Sequence, residues 1–114
     1  MIRGLAALWL TAATLAAAGD GVLAGLIQDR TGAAMVSASV TAMDQETGIR
    51  RSTHADGTGA YEIAALPPGQ YKLTVRKPGF QTIVRWNVAI GSGQDARLDF
   101  AMQVGSMHEV ITIE

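Results

Sequence analysis

The chain has 114 residues, of which 48% are hydrophobic and 17% charged, and its formal net charge is −1. This length supports one domain rather than two, and the scattered basic residues exclude the clustered stripe of a nucleic-acid-binding surface. The sequence contains no cysteine, which excludes disulfides, thiol chemistry and cysteine-ligated zinc, so the core must hold the fold alone.

The first 18 residues are typical of a signal peptide. Arg3 gives a short basic start, residues 5–15 form an apolar run, and three alanines at 16–18 precede Gly19. The run is shorter than the about 20 residues that cross a bilayer, which disfavours a membrane-spanning helix. We therefore predict an exported protein, in the periplasm, in the outer membrane or secreted, whose mature part has no membrane span. Loss of Arg3 brings its net charge to −2.

Beyond residue 20 the chain reads as short β-strands separated by turn signals. The strands are predicted at 22–28, 37–43, 49–53, 60–63, 71–76, 80–88 and 97–102, with a last one near 109–113. Clusters of Gly, Pro, Asp and Ser separate them at short, regular intervals. This spacing predicts an all-β sandwich that follows the signal-peptide helix.

The stretch 54–80 has the most specific pattern, in which turn and strand alternate. Its turn residues are Asp56, Gly57, Gly59, Pro67, Pro68, Gly69, Pro78 and Gly79. The first three include positions expected to accept a positive φ, and the Pro-Pro-Gly run predicts a tight reversal. Alternation of apolar and polar residues predicts the core set Ala38, Val40, Tyr61, Ile63, Tyr71, Leu73, Val75, Leu98, Phe100 and Met102.

Several motifs in this order carry a family resemblance. They are Gly25 to Gly32, Ala38 to Ala42, Thr47-Gly48, Asp56-Gly57 with Tyr61, Leu66 to Val75 and Gly79-Phe80. The chain resembles the carboxypeptidase regulatory-like domain over roughly residues 21–102. The resemblance implies a seven-stranded Greek-key sandwich of the transthyretin (prealbumin) type, in a group that includes starch-binding-like, carbohydrate-binding folds.

The resemblance also suggests contexts for the chain. Members of this family lie behind the catalytic domain of metallocarboxypeptidases, at the amino end of TonB-dependent outer-membrane receptors, and in bacterial surface proteins. Residues 1–18 are expected to be the signal peptide, 19–102 the sandwich domain and 103–114 a β-prone connector. Glu109 to Glu114 is similar to the segment that leads to the plug and barrel in the receptors, and a chain that stops there looks interrupted.

Catalytic and metal sites are not indicated by the sequence. No serine lies on a nucleophile elbow with an identifiable base, and the acids fall mainly in turns or at outward strand positions. His54 with Asp56 would need a further metal ligand from elsewhere. Calcium remains open at the turn aspartates Asp29, Asp44, Asp56 and Asp95. We predict no enzyme, no metal and no cofactor.

Carbohydrate binding is the main alternative on chemical grounds. Sugars stack on exposed aromatic rings and bond to neighbouring polar side chains. With the two tyrosines and Phe100 assigned to the core, Trp86 is the plausible stacking ring, flanked by Arg85 and Asn87.

The sequence and the resemblance together predict a non-catalytic, exported interaction or scaffold module of a cell envelope. Its favoured context is the amino-terminal domain, or a shortened relative, of a TonB-dependent receptor. The alternatives are a weak carbohydrate-binding module and an accessory domain of a metallocarboxypeptidase. The expected partner is a protein or the parent receptor, with a polysaccharide as a second possibility and no nucleic acid.

Overall fold

The computed structural model describes residues 19–113, and the predicted signal peptide lies outside this range. The described residues form nine strands and no helix. The strands are β1 (Gly21–Asp29), β2 (Ser39–Asp44), β3 (Arg50–His54), β4 (Ala60–Leu66), β5 (Gly69–Arg76), β6 (Thr82–Ile90), β7 (Asp95–Arg97), β8 (Phe100–Met102) and β9 (Val110–Ile113). The predicted all-β class is therefore confirmed.

Two sheets make up the sandwich. In the first, β1 is the central strand. β4 pairs antiparallel with it on one side, and β7 and β8 each pair parallel with it on the other. The second has the order β3-β2-β5-β6-β9, in which β9 pairs parallel with β6 and the other neighbours are antiparallel. The edge strands of the second sheet are β3 and β9.

The core consists of the inward faces of the two sheets. Burial alternates along the central strands: Tyr71, Leu73 and Val75 of β5 are buried, whereas Lys72 and Thr74 are partly exposed. This alternation follows from the two-residue period of a strand, in which successive side chains point to opposite faces. The predicted core set is buried throughout except for Leu98, which is partly buried and packs against it.

The strand predicted at 97–102 is interrupted in the structure. β7 and β8 pair with β1 in one continuous register, but Leu98 and Asp99 between them leave the regular ladder. An Asp99 carboxylate oxygen accepts from the backbone N–H of Leu26 at 2.8 Å, and the Leu98 carbonyl accepts from the Tyr61 hydroxyl at 2.6 Å. The Leu98 N–H still donates to the Ala24 carbonyl at 3.0 Å, but at Leu26 a side chain replaces the backbone as the partner of β1.

The strand count differs from the expected seven for two reasons. The interruption divides one predicted strand into β7 and β8, and residues 110–113 form β9 at the edge of the second sheet. The sandwich class is unaffected, because β7 and β8 lie in the first sheet and β9, where a last strand is predicted near 109–113, lies in the second.

One of the predicted turn glycines does not have the expected backbone role. In the turn after Asp56, Gly59 takes the positive φ of 82°, whereas Gly57 does not have a positive φ. The reversal predicted at Pro67, Pro68 and Gly69 connects β4 to β5, and Ala65, near the end of β4, has a positive φ of 57°. Gly79, with a φ of 86°, lies in the turn predicted for it.

The turns that open at Asp29 and Asp56 are built identically. Each sequence is Asp-x-Thr-Gly-Ala, and an oxygen of each aspartate accepts from the N–H and hydroxyl of the threonine and from the N–H of the alanine. The glycine is in the left-handed region in both, at 88° for Gly32 and 82° for Gly59. The repeat is visible in the sequence, and it explains why aspartate and threonine occur two residues apart at both positions.

Candidate functional site

A bulge in β6 positions the predicted stacking residue. Tyr71 pairs with Val88 and Leu73 with Arg85, so the two residues Trp86 and Asn87 lie opposite the single residue Lys72. Such an insertion bends the strand and redirects side chains. Asn87 has a positive φ of 60°, a conformation that asparagine tolerates better than most residues.

Gln45 holds the bulge in place from the loop after β2. Its side-chain oxygen accepts from the backbone N–H of Asn87 at 2.8 Å, and its side-chain nitrogen donates to the Asn87 amide oxygen at 3.1 Å. The amide oxygen of Asn87 is therefore already engaged, which leaves its NH₂ group as the polar atom available to a ligand.

The structure brings the three predicted sugar-binding residues to one groove. Arg85, Trp86 and Asn87 line a shallow cavity of about 510 Å³ between β6 and the segment Gln94 to Leu98. Asp95 and Arg97, which the sequence did not single out, lie on the opposite wall. Both walls thus supply hydrogen-bonding groups beside one aromatic ring, which is the chemistry of a small polar ligand site.

Trp86 has a cation neighbour that the sequence analysis missed. The Lys72 ammonium lies 4.7 Å from the centre of the Trp86 ring, in cation–π contact. One face of the ring is therefore occupied, and a sugar could stack only on the other or after displacing the lysine. The alternation of β5 predicts that Lys72 points outward. The bulge that brings Trp86 beside it leaves no periodic pattern in the sequence, so the contact between them is not predictable.

The second candidate surface is the free edge of β9. The Thr82 N–H donates to the Glu109 carbonyl at 2.9 Å, which directs the backbone groups of Glu109 and Ile111 towards β6. Because alternate residues of a strand direct their N–H and C=O groups to opposite sides, those of Val110 and Thr112 face away from the sheet. β9 therefore presents an unpaired donor and acceptor row, and residues 110–113 carry no charge.

A hydrogen-bonded loop fixes the start of β9. The Glu109 carboxylate accepts from the backbone N–H of Ser106 at 2.9 Å and from the side chain of Gln81 at 3.1 Å. The Thr82 hydroxyl donates to the Met107 carbonyl at 2.8 Å. These donors, first Ser106 and then Gln81, hold the pKa of Glu109 below its usual value, so the contacts persist at neutral pH.

Exposed apolar residues concentrate near this edge. Val104, Val110 and Ile113 are 82%, 55% and 38% exposed. Natural edge strands are commonly protected by lysine, proline or a bulge, and β9 has none of these between residues 110 and 113. The edge is therefore suited to pairing with another extended segment.

The candidate metal positions do not converge within residues 19–113. His54 and Asp56 line the same depression, but no group of three or more His, Cys, Asp or Glu side chains in this part of the chain could hold an ion. At Asp29 and Asp56 the threonine hydroxyl, then backbone N–H groups, lower the carboxyl pKa. One carboxylate oxygen of each of these two aspartates is thus used in building its turn.

No helix in residues 19–113 is long and apolar enough to cross a membrane. The predicted export signal lies outside the described residues, so the localisation stays a prediction.

The fold and its surfaces define a small β-sandwich domain, and comparison with known proteins identifies its family. Residues 22–103 match the model of the carboxypeptidase regulatory-like domain. The chain belongs to this family, as its motifs indicated. No curated protein matches the sequence significantly.

Solved structures with the same fold have varied functions. A candidate carbohydrate-binding protein from Bacteroides uniformis superposes with a TM-score of 0.62 at 18% identity, over 75% of this chain and 42% of that one. A hydroxyquinol 1,2-dioxygenase from Pseudomonas putida superposes with a TM-score of 0.60 at 12% identity, over 76% of this chain and 57% of the enzyme. A chain of a cohesin–X-dockerin complex from Acetivibrio cellulolyticus superposes with a TM-score of 0.57 at 24% identity, over 75% of this chain and 58% of that one.

These likenesses show the fold alone. The chain spans less than two thirds of each of the three proteins. The similarity to a dioxygenase at 12% identity brings no activity with it, and the family that matches is a regulatory-like domain. Whether this chain is catalytic is therefore decided by its own residues, among which the sequence indicates no nucleophile or base.

Proposed function

We propose that this domain is a non-catalytic, exported interaction module of a bacterial cell envelope, and that it binds an extended segment of a partner protein along β9. The observation that carries the proposal is the uncharged, unpaired edge of β9, with Val110 and Ile113 exposed beside it. Main-chain hydrogen bonds to an added strand supply affinity, and the flanking apolar side chains supply contact area.

The proposed context is the amino-terminal domain, or a shortened relative, of a TonB-dependent receptor. The order of a signal-peptide-like segment, this module and a short β segment supports it. The same module as an accessory domain of a metallocarboxypeptidase would use the edge equally, but there it would follow a catalytic domain instead of beginning the mature chain.

A proline at position 112 tests the strand-addition mechanism. Thr112→Pro removes one outward N–H and leaves the bonds between β6 and β9 intact. A photoreactive residue placed at Val104 in the native host should cross-link one defined envelope protein. The cross-link should be lost in Thr112→Pro and kept in the matched variant Thr112→Ala, and the purified partner should slow amide exchange in β9. A partner that binds Thr112→Pro as well as the wild type would refute the mechanism.

The second candidate function is weak carbohydrate binding in the groove at Trp86. It is favoured by one specific observation, that Trp86, Arg85 and Asn87 line a single cavity with Asp95 and Arg97. The likeness to a candidate carbohydrate-binding protein supports it at the level of fold.

Titration with a panel of neutral polysaccharides tests this candidate. Binding should fall about two- to ten-fold in Trp86→Ala, which removes the ring, because ring stacking is worth about 0.5–1.5 kcal/mol. Lys72→Met frees the ring face and should strengthen stacking. Failure of the whole panel to bind the wild type would remove the candidate.

A further inference from the structure

The outer face of the five-stranded sheet carries a second polar surface, separate from the β9 edge. Met43 of β2 pairs with Arg50 on one side and with Lys72 on the other. One row further along, Thr41 lies between Ser52 and Thr74. These six residues and Arg76 line a shallow depression of about 420 Å³. We name this surface the basic face.

Three cations lie at the margins of the basic face. Arg50 and Lys72 are two strands apart, or about 10 Å, and Lys72 and Arg76 are four residues apart on β5, or about 13 Å. Between them the hydroxyls of Thr41 and Ser52 lie 2.9 Å apart. The arrangement combines fixed positive charge at the margins with hydrogen-bonding groups in the centre.

The positive charge of the basic face is not neutralised by the protein. Among residues 19–113 the one side-chain ion pair joins Arg97 to Asp99, on the other sheet. No Asp or Glu lies among the residues that line the basic face. The domain is nonetheless slightly acidic as a whole, so the concentration of cations here is local and does not reflect composition.

We propose that the basic face binds an acidic polysaccharide, a sugar chain that carries carboxylate groups. Arginine and lysine bind carboxylates, and the Thr41, Ser52 and Thr74 hydroxyls suit the hydroxyl groups of the sugars. An open face three strands wide accommodates a chain ligand better than an isolated ion.

The chemistry of the basic face favours a sugar chain over a lipid surface. Membrane-binding surfaces combine cations with exposed apolar side chains that enter the bilayer. The large exposed apolar residues of residues 19–113 are Val36, Ile49, Val104, Val110 and Ile113, and none of them lines the basic face. The apolar residue that does, Met43, is half-buried between its two charged neighbours.

Titration with polygalacturonate, a polyuronate, tests the proposal, with uncharged dextran as the reference ligand. At about 10 mM salt, where screening is weak, the protein should bind polygalacturonate and not dextran, and the affinity should fall at about 150 mM. Arg50→Gln and Arg76→Gln should each weaken binding about two- to five-fold, the effect of one exposed charge pair. Arg30→Gln, in the loop after β1, removes the same charge elsewhere and should leave binding unchanged.

Three results would overturn the proposal: no binding at low salt, an equal loss in Arg30→Gln, or binding to anionic phosphatidylglycerol vesicles without binding to polygalacturonate. Thermal unfolding of each variant confirms that its fold is intact. Because none of the lining residues belongs to β9, Thr112→Pro should bind polygalacturonate normally, so this test is independent of the strand-addition test.

Discussion

At the scale of single residues, Gly25 of β1 lies too close to the backbone of Leu98 to be replaced by a residue with a side chain. A Cβ atom at this position would lie 1.8 Å from the Leu98 carbonyl oxygen and 2.7 Å from its carbon, both of them backbone atoms. Leu98 cannot move away freely, because its carbonyl accepts from the buried Tyr61 hydroxyl. Gly25 is thus required by the interruption between β7 and β8.

Gly25→Ala should destabilise the domain by at least about 2 kcal/mol, since overpacking against fixed backbone forces the strands apart. The matched variant is Gly57→Ala. A Cβ there meets nothing within 4 Å and the φ of Gly57 is not positive, so its effect should stay within about 0.5 kcal/mol. Urea unfolding of the two variants provides the comparison, and equal losses would contradict the close approach at Leu98.

Asp29 and Asp56 make the stability of the domain depend on acid. Their pKa values are lowered in the folded state, chiefly by the hydroxyls of Thr31 and Thr58. A carboxylate with a lowered folded pKa contributes stability above its unfolded pKa of about 4, and that contribution is lost as the pH falls through the folded value. The domain should therefore lose stability below about pH 4.

The double variant Asp29→Asn/Asp56→Asn should show a shallower loss of melting temperature between about pH 4 and pH 2 than the wild type. An asparagine oxygen can accept the same hydrogen bonds but does not titrate in this range. Glu46→Gln/Glu62→Gln removes the same charge from other exposed positions and serves as the control. If the control variant reduced the loss of melting temperature between about pH 4 and pH 2 equally, the net charge of the domain, and not the two turns, would be responsible.

At the scale of strands, the alternation of apolar and polar residues predicts the buried and exposed faces of regular strands but not the points where a strand is interrupted. The buried and exposed faces of β5 follow directly from the sequence of residues 71–76, and the strand was placed within two residues of its observed start. Residues 97–102 alternate equally well, yet Asp99 leaves the ladder because its side chain bonds to Leu26. A side chain that substitutes for backbone leaves no trace in hydrophobic periodicity.

The candidate site was predictable to a similar extent. The sequence indicates Trp86 as the plausible stacking ring, and its flanking residues Arg85 and Asn87 line the same groove as the ring. The opposite wall, with Asp95 and Arg97, comes from a strand eight or more residues later, and the bulge depends on Gln45 more than forty residues earlier. Such long-range contacts depend on sheet order, which a single sequence does not specify.

The pairing of β9 yields a prediction about this element. Ile111→Pro removes an N–H that faces β6, whereas Thr112→Pro removes one that faces solvent. Ile111→Pro should release β9 and cost about 1 kcal/mol or more, and Thr112→Pro should cost less than about 0.5 kcal/mol. Amide exchange of Ile113 and Val84 reports the pairing. Equal exchange in the two variants would mean that β9 is in a different register.

At the scale of the whole molecule, one core between two sheets holds the domain without disulfides. Leu73 is fully buried on β5, the central strand of the larger sheet, and Leu23 is fully buried on β1 of the other sheet. Both interaction surfaces, the β9 edge and the basic face, belong to this larger sheet. The core therefore holds both interaction surfaces in place as well as stabilising the fold.

Leu73→Ala should destabilise the domain by about 2–5 kcal/mol, and Leu73→Asp should unfold it, because a buried carboxylate without a partner is far more costly than a cavity. Thr74→Asp places the same charge on the adjacent, outward position and should leave the fold intact. Far-ultraviolet circular dichroism distinguishes the outcomes, and a folded Leu73→Asp variant would contradict the position of the core.

The central claim is that this domain works outside the cytoplasm, as a module of the cell envelope. The most direct measurement is the intact mass and amino-terminal sequence of the native protein in fractions of the producing cell. The account predicts a polypeptide that begins at Gly19 in the envelope fraction. With Gly19 at the amino terminus, a mass far above that of residues 19–114 would place the domain at the start of a larger receptor or enzyme, and a mass equal to it would identify the shortened relative. A cytoplasmic protein that retains residues 1–18 would contradict the claim.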